Sequence, residues 1–210
     1  FGIIIIFLAG NLTTAGAWVG EATYASEKAG SNPSLPPGYT KMMTAPAPLC
    51  RAGQQAIPRP CGSLAGVAAI SGSDLWVVGT NFNTGASPLP APLIEHWDGK
   101  IWHIVTPPKS VGDLAAVAVV SATDVWAVGR TYGAEGVYRT LILHYNGRRW
   151  SVVPNPVTAG ISFLSAVAAS SSDDVWTAGM ETNAHQESQA VVEHWDGRRG
   201  SIVPSPKTNE

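Results

Sequence analysis

The sequence predicts an all-β protein built on three four-stranded antiparallel repeats of about 50 residues, and three observations carry that expectation. The segments LAGVAAISGSDLWVVG, LAAVAVVSATDVWAVG and LSAVAASSSDDVWTAG begin at Leu64, Leu114 and Leu164, a spacing of 50. The segments LIEHWDGKIW, LILHYNGRRW and VVEHWDGRRG follow at 93–102, 141–150 and 191–200. Seven of the eight tryptophans fall at recurring positions: Trp76, Trp126 and Trp176, then Trp97 and Trp195, then Trp102 and Trp150. A repeat this short is one supersecondary unit that cannot bury its apolar face alone, so the pattern has to recur.

Composition narrows the functional classes. A chain with 45% hydrophobic and 13% charged residues folds rather than staying disordered. Thirteen basic against fifteen acidic side chains leave a net charge of -2, with no basic run to serve as a nucleic-acid footprint. With 22 glycines and 16 prolines, many turns are expected.

The first element is the apolar run FGIIIIFLAG, too short to cross a hydrocarbon core, which takes about 20 residues. The small residues Ala15, Gly16 and Ala17 follow in an A-x-A arrangement. Residues 1–25 therefore read as a truncated secretory signal peptide, with a buried strand as the alternative. The expected location is extracellular or at the cell surface, with no membrane span. Residues 26–62, rich in Pro, Gly and Ser, read as a linker. Within it Cys50 and Cys61 flank RAGQQAIPRP, and in an exported protein they are expected to pair rather than remain free. Two isolated thiols make a poor metal site.

The three units span 63–113, 114–163 and 164–210. In the middle one, Leu114 to Val120 is dense in Ala and Val and reads as a strand buried on both faces. A tight turn at Ser121 to Asp124 leads to a strand over Val125 to Gly129; Asp74, Asp124 and Asp174 recur as turn-stabilising residues. Gly79, Gly129 and Gly179 close these second strands. A third strand covers Thr140 to Tyr145. Asn146-Gly147 reads as the centre of a hairpin turn, as do Asp98-Gly99 and Asp196-Gly197. Arg148 to Val153 is the fourth strand, stopped by Pro154 and Pro156. Trp97 and Trp102 should project to one side and pack on the next unit.

A period near 50, four strands per unit and regularly placed Trp and Gly resemble the blades of β-propellers, closest to the kelch and galactose-oxidase-like groups. Uncharacterised bacterial exported proteins with D-V-W-A-V-G and H-W-D-G-x-x-W blades are similar. The resemblance covers Leu64 to Pro206. It implies a propeller, but each unit lacks the Gly-Gly pair of kelch blades and the S-x-D-x-G-x-x-W pattern of sialidase-like ones, so no functional residue carries over. Three blades do not close a ring of the usual four to eight, which implies further blades or self-association of two chains.

Catalytic signals are weak. His96, His144 and His194 recur once per unit, so a propeller would spread them around its axis rather than gather them on a metal; packing or a bond to a neighbouring blade is their expected role. Glu95 and Glu193, with Leu143 between them in register, read as solvated or paired surface groups. No nucleophile elbow, phosphate loop or zinc motif is present. The expectation is a protein that is not an enzyme and uses no cofactor or metal.

Loop length points elsewhere. The first-to-second and third-to-fourth connections are short and constant, whereas TNFNTGASPLPAP, RTYGAEGVYRT and METNAHQESQA at the opposite end differ in every unit. A constant scaffold with one variable rim is the arrangement expected of a binding surface, the alternative being loops that differ because nothing constrains them. Phe82, Asn83, Tyr132, Tyr138, Arg139, Glu181 and His185 are its candidate contacts, for a carbohydrate or protein ligand. The alternatives are a piece of a carbohydrate-active propeller enzyme, sialidase- or lyase-like, and a purely structural surface-assembly protein.

Overall fold

The computed structural model describes residues 4–5, 43–44, 62–82, 89–110, 112–133, 136–156, 160–182 and 187–204. Cys50 and Cys61 lie outside them. The chain divides into two compact units, residues 1–47 and 48–210. In the first, β1 (Ile4–Ile5) pairs antiparallel with β2 (Met43–Thr44). Among the described residues no helix is long and apolar enough to cross a membrane.

The second unit holds three four-stranded antiparallel sheets, each a meander of consecutive strands. The first contains β3 (Gly62–Ser71), β4 (Asp74–Asn81), β5 (Ala91–Trp97) and β6 (Trp102–Ile104). The second contains β7 (Gly112–Ser121), β8 (Asp124–Tyr132), β9 (Tyr138–Tyr145) and β10 (Trp150–Val152). The third contains β11 (Ser162–Ser171), β12 (Asp174–Thr182), β13 (Ser188–Trp195) and β14 (Gly200–Ile202). The arrangement is consistent with propeller-like blades.

Alternation places successive side chains on opposite faces of a strand, and both faces of the second sheet are used. Toward the first sheet, Leu114, Val125, Ala127, Leu141, Leu143 and Trp150 meet Trp76, Val78 and Ile94. Toward the third, Trp126, Val128, Ile142 and Val153 meet Leu164, Val175 and Val191. The first strands of adjacent sheets lie close together, β3 beside β7 and β7 beside β11. A Cβ on Gly66 would stand only 2.9 Å from Ala116 Cα. The Gly after each V-W-A-V motif has a similar cause: each first strand carries a bulge after its Leu, and a Cβ on Gly129 would lie 2.1 Å from the Asp113 carbonyl oxygen.

Leu114 to Val120 in β7 is covered from both sides, with Val117 and Val119 packed toward the first sheet and Ala116 and Val120 toward the third, whereas β3 leaves Val67 and Ile70 exposed. Three expectations need correction. The fourth strands are three residues long, because 146–149 form the turn. In that turn Asn146 sits at the first corner instead of the centre. Its Oδ1 accepts the N–H groups of Arg148 and Arg149, and only Gly147, at φ 83°, takes the first central position. Asp98 and Asp196 act in the same way beside Gly99 and Gly197.

Lastly, the hairpin aromatics pack on the preceding sheet rather than the next. The Tyr145 and Trp150 rings lie 4.9 and 5.5 Å from Trp76, and Trp195 lies 5.9 Å from Trp126. Trp97 stands against Trp102 at 5.6 Å.

Candidate functional site

Three side-chain groups stand out, the first of them repeated in every sheet. Asp74, Asp124 and Asp174 accept a hydrogen bond from, or share a proton with, Nε2 of His96, His144 and His194 at 2.8, 2.8 and 2.9 Å. Each imidazole stacks on the tryptophan directly opposite it in the ladder, Trp76, Trp126 or Trp176, at 4.3, 4.2 and 4.2 Å. Asp124 and Asp174 also accept the indole N–H of Trp126 and Trp176. These aspartates therefore do more than stabilise a turn. Of the two roles expected for the histidines, packing is the one found, and their hydrogen bonds stay within their own sheet instead of reaching a neighbouring blade. Hydrogen bonds from Ser170, His194 and Trp176 hold the Asp174 carboxyl below the usual carboxylate range. Among the described residues no group of three or more His, Cys, Asp or Glu is placed to hold a metal ion.

The second group lies at the rim. Asp113 and Arg130 face each other across β7 and β8, and Arg130 Nε donates to Asp113 Oδ2 at 2.9 Å. The Tyr132 hydroxyl donates to the same oxygen at 2.5 Å. The guanidinium lies 4.8 Å from the Tyr138 ring centre, 5.5 Å from that of Tyr132 and 6.0 Å from that of Phe163. Tyr132 and Tyr138 meet edge to face at 5.1 Å. Burial works against the charge of Arg130, but Asp113 outweighs it and raises the pKa. Burial and then Asp113 raise that of Tyr132. The result is a half-buried aromatic cluster fixed by an ion pair.

Of the residues expected at the rim, Tyr132 and Tyr138 are thus brought together. Arg139 is turned to the Gly160 carbonyl oxygen at 2.5 Å, and Glu181 accepts from Gln189 at 2.6 Å. Phe82 stands apart at the end of β4, 53% exposed. Asn83 and His185 lie outside the described residues. The sequence reading missed Asp113, Arg130 and Phe163. A signal existed: Asp113 and Arg130 occupy register positions held by Ser63 and Thr80 in the first sheet, and opposite charges at directly facing positions attract.

The third group corrects the reading of the glutamates. Glu95 and Glu193 are 1% and 2% exposed, not solvated. Burial pushes both carboxyls up to about 7, with Glu181 adding to the effect on Glu193. Both Glu193 carboxylate oxygens and the hydroxyl of Thr177, its partner across β12 and β13, are buried without a hydrogen bond. The two residues border a cleft between the second and third sheets, apolar in its accessible lining, that also touches Trp126, Pro154, Trp195 and Gly200. The cleft's open volume is about 10 Å³, the room of about one water molecule.

No protein-family model matches this chain, and neither does any curated protein.

Proposed function

We propose that the chain is an exported, non-enzymatic binding or scaffold module whose propeller-like blades present a variable rim to a carbohydrate or protein ligand. The observation that carries this reading is the rim cluster of Tyr132, Tyr138 and Phe163 around Arg130. Tyrosine offers a rigid amphipathic surface at low entropic cost, and aromatic and Arg side chains dominate binding hot spots. Asp113 fixes the cluster from below, so little ordering remains to be done on binding. The short constant turns at the other end of the sheets serve the scaffold, which leaves the variable loops free to set specificity.

The test is retention of the labelled chain on a glycan array, with the eluted sugars analysed. The expected result is retention without hydrolysis, weakened at least about tenfold by Tyr138→Ala while the β-sheet circular dichroism is kept. Release of cleaved sugar overturns the non-enzymatic reading. Retention indifferent to Tyr138→Ala and to Phe82→Ala overturns the rim as the contact surface.

A further inference from the structure

Register gathers the rim cluster at the junction of the second and third sheets. Arg130 and Tyr132 follow Trp126 and Val128 by alternation along β8, on the face that meets the third sheet, and their ladder partners Asp113 and Tyr138 share that face. Phe163 reaches them from β11. At the places of Asp113 and Arg130 the first sheet carries Ser63 and Thr80, so the ion pair is particular to this junction.

A guanidinium holds five N–H donors in one plane. The Nε–H is taken by Asp113 Oδ2, and no described residue accepts a hydrogen bond from Nη1 or Nη2. The Arg130 side chain is 35% exposed against 17% for Asp113, so the carboxylate is the anchor and the end of the fork is what remains for solvent or a ligand. Tyr138, Tyr132 and Phe163 flank the guanidinium at 4.8, 5.5 and 6.0 Å.

Two parallel N–H groups at the end of a planar fork match the two oxygens of a carboxylate, in bonds about twice as strong as neutral ones. Asp113 holds the fork in one orientation beforehand, so a ligand need not order it. Asp113 also balances the charge of Arg130, which suits the site to a single negative charge rather than to a doubly charged phosphate. The flanking rings keep water from the guanidinium and so reduce the screening met by a charge arriving at its end.

The surroundings bear on what carries that carboxylate. A peptide recognised through its backbone would add to the outer edge of β9, but that edge is capped beside the cluster. The Thr140 N–H donates to Ser162 Oγ at 3.2 Å, and Asn155 Nδ2 donates to the Thr140 carbonyl oxygen at 3.5 Å. A sugar needs no strand edge. The C–H face of a pyranose packs on an aromatic ring, and the Tyr138 hydroxyl, which bonds to no described residue, can meet a sugar hydroxyl.

We propose that the rim site selects an acidic sugar, whose carboxylate is held end-on by Nη1 and Nη2 of Arg130 and whose ring is set against Tyr138. The proposal rests on the rim reading and narrows it, and it can fail while the rim still binds a neutral sugar.

The experiment is a titration of the ¹⁵N-labelled full chain at pH 7 and constant ionic strength, following the Arg130 Nε–H and the backbone amides of Arg130, Tyr132 and Tyr138. Methyl β-D-glucuronide and methyl β-D-glucoside are the matched probes, differing only in a carboxylate or a hydroxymethyl group on the same carbon. Saturable shifts with the glucuronide at an affinity at least about tenfold above that of the glucoside are expected. Arg130→Lys keeps a positive charge beside Asp113 without the fork. It should bring the two affinities to within about threefold by weakening the glucuronide alone. Should that variant not fold, the matched probes on the unaltered chain decide.

Equal affinity for the two glycosides overturns the proposal and leaves the rim reading standing. A preference for glucuronide that survives in Arg130→Lys overturns the fork as its cause. N-acetylalanine and glucose 6-phosphate complete the set: binding as tight as that of the glucuronide would assign the site to peptide carboxylates or to phosphates, and either result overturns the acidic sugar. No saturable shift with either glycoside overturns the proposal as well, and the glycan array then tests the rim by itself.

Discussion

At the scale of single residues, the buried glutamates make stability depend on pH in an unusual direction. Among the described residues, backbone and side-chain hydrogen bonds favour the charged forms of Asp98, Asp174 and Asp196 and lower their pKa. Their stabilisation is present at neutral pH and is lost only as the pH falls below the usual carboxylate range. Glu95 and Glu193 act oppositely. Each titrates near 4.5 when unfolded and at about 7 when folded, so between those values the folded chain binds more protons than the unfolded one. Their contribution is fully present below about pH 4.5 and is lost as the pH rises through 7. Melting temperatures taken at constant ionic strength from pH 5 to 8 should therefore fall with pH. The double variant Glu95→Gln, Glu193→Gln should remove most of that slope, and a slope unchanged in the variant would assign the effect to other groups.

At the scale of elements, Trp126 and Trp176 hold identical places in β8 and β12 yet differ in surroundings, 1% against 41% exposed. Both stack on a histidine and donate to an aspartate, so the difference isolates the packing of one sheet on the next. Trp126→Ala should cost about 3 to 5 kcal/mol, the range for a fully buried large aromatic. Trp176→Ala should cost well under half of that, and urea unfolding of the two variants measures both. Equal losses would mean that inter-sheet contact is not what the ring contributes. Sequence made much of this level legible. The 50-residue period, the Asp-x-Trp and Gly positions and the Asn-Gly turn placed the strands, because local pattern and turn chemistry act over a few residues. What each face would touch was not legible, since it depends on how sheets stack. The direction in which Tyr145 and Trp150 lean, and the burial of Glu193, are properties of the neighbouring sheet. The Asp–His–Trp grouping had a sequence trace in the constant Asp-x-Trp spacing and in one His per unit, 20 or 22 residues after the Asp, but its geometry appears only when Trp126 and His144 are paired across β8 and β9.

At the scale of the whole molecule, the three sheets form a stack in which each sheet's packing is set by its neighbours, as in other repeat architectures. The second sheet is packed against a sheet on both faces, and its two cores account for most of its buried side chains. The third sheet packs on the second through Leu164, Val175 and Val191, while the face bearing Trp176 is open. Strands β8 and β12 each lie second in their sheets, bonded on both sides, so hydrogen-bond position cannot separate them. Local stability follows buried apolar contact, and native-state hydrogen exchange should show β12 amides exchanging at least about tenfold faster than those of Val125 to Val128. Trp126 belongs to the interface between the second and third sheets, not to that between the first and second. Trp126→Ala should therefore strip protection from β12 more than from β4. If the two strands lose protection equally, the sheets unfold as one cooperative body and the nearest-neighbour description fails.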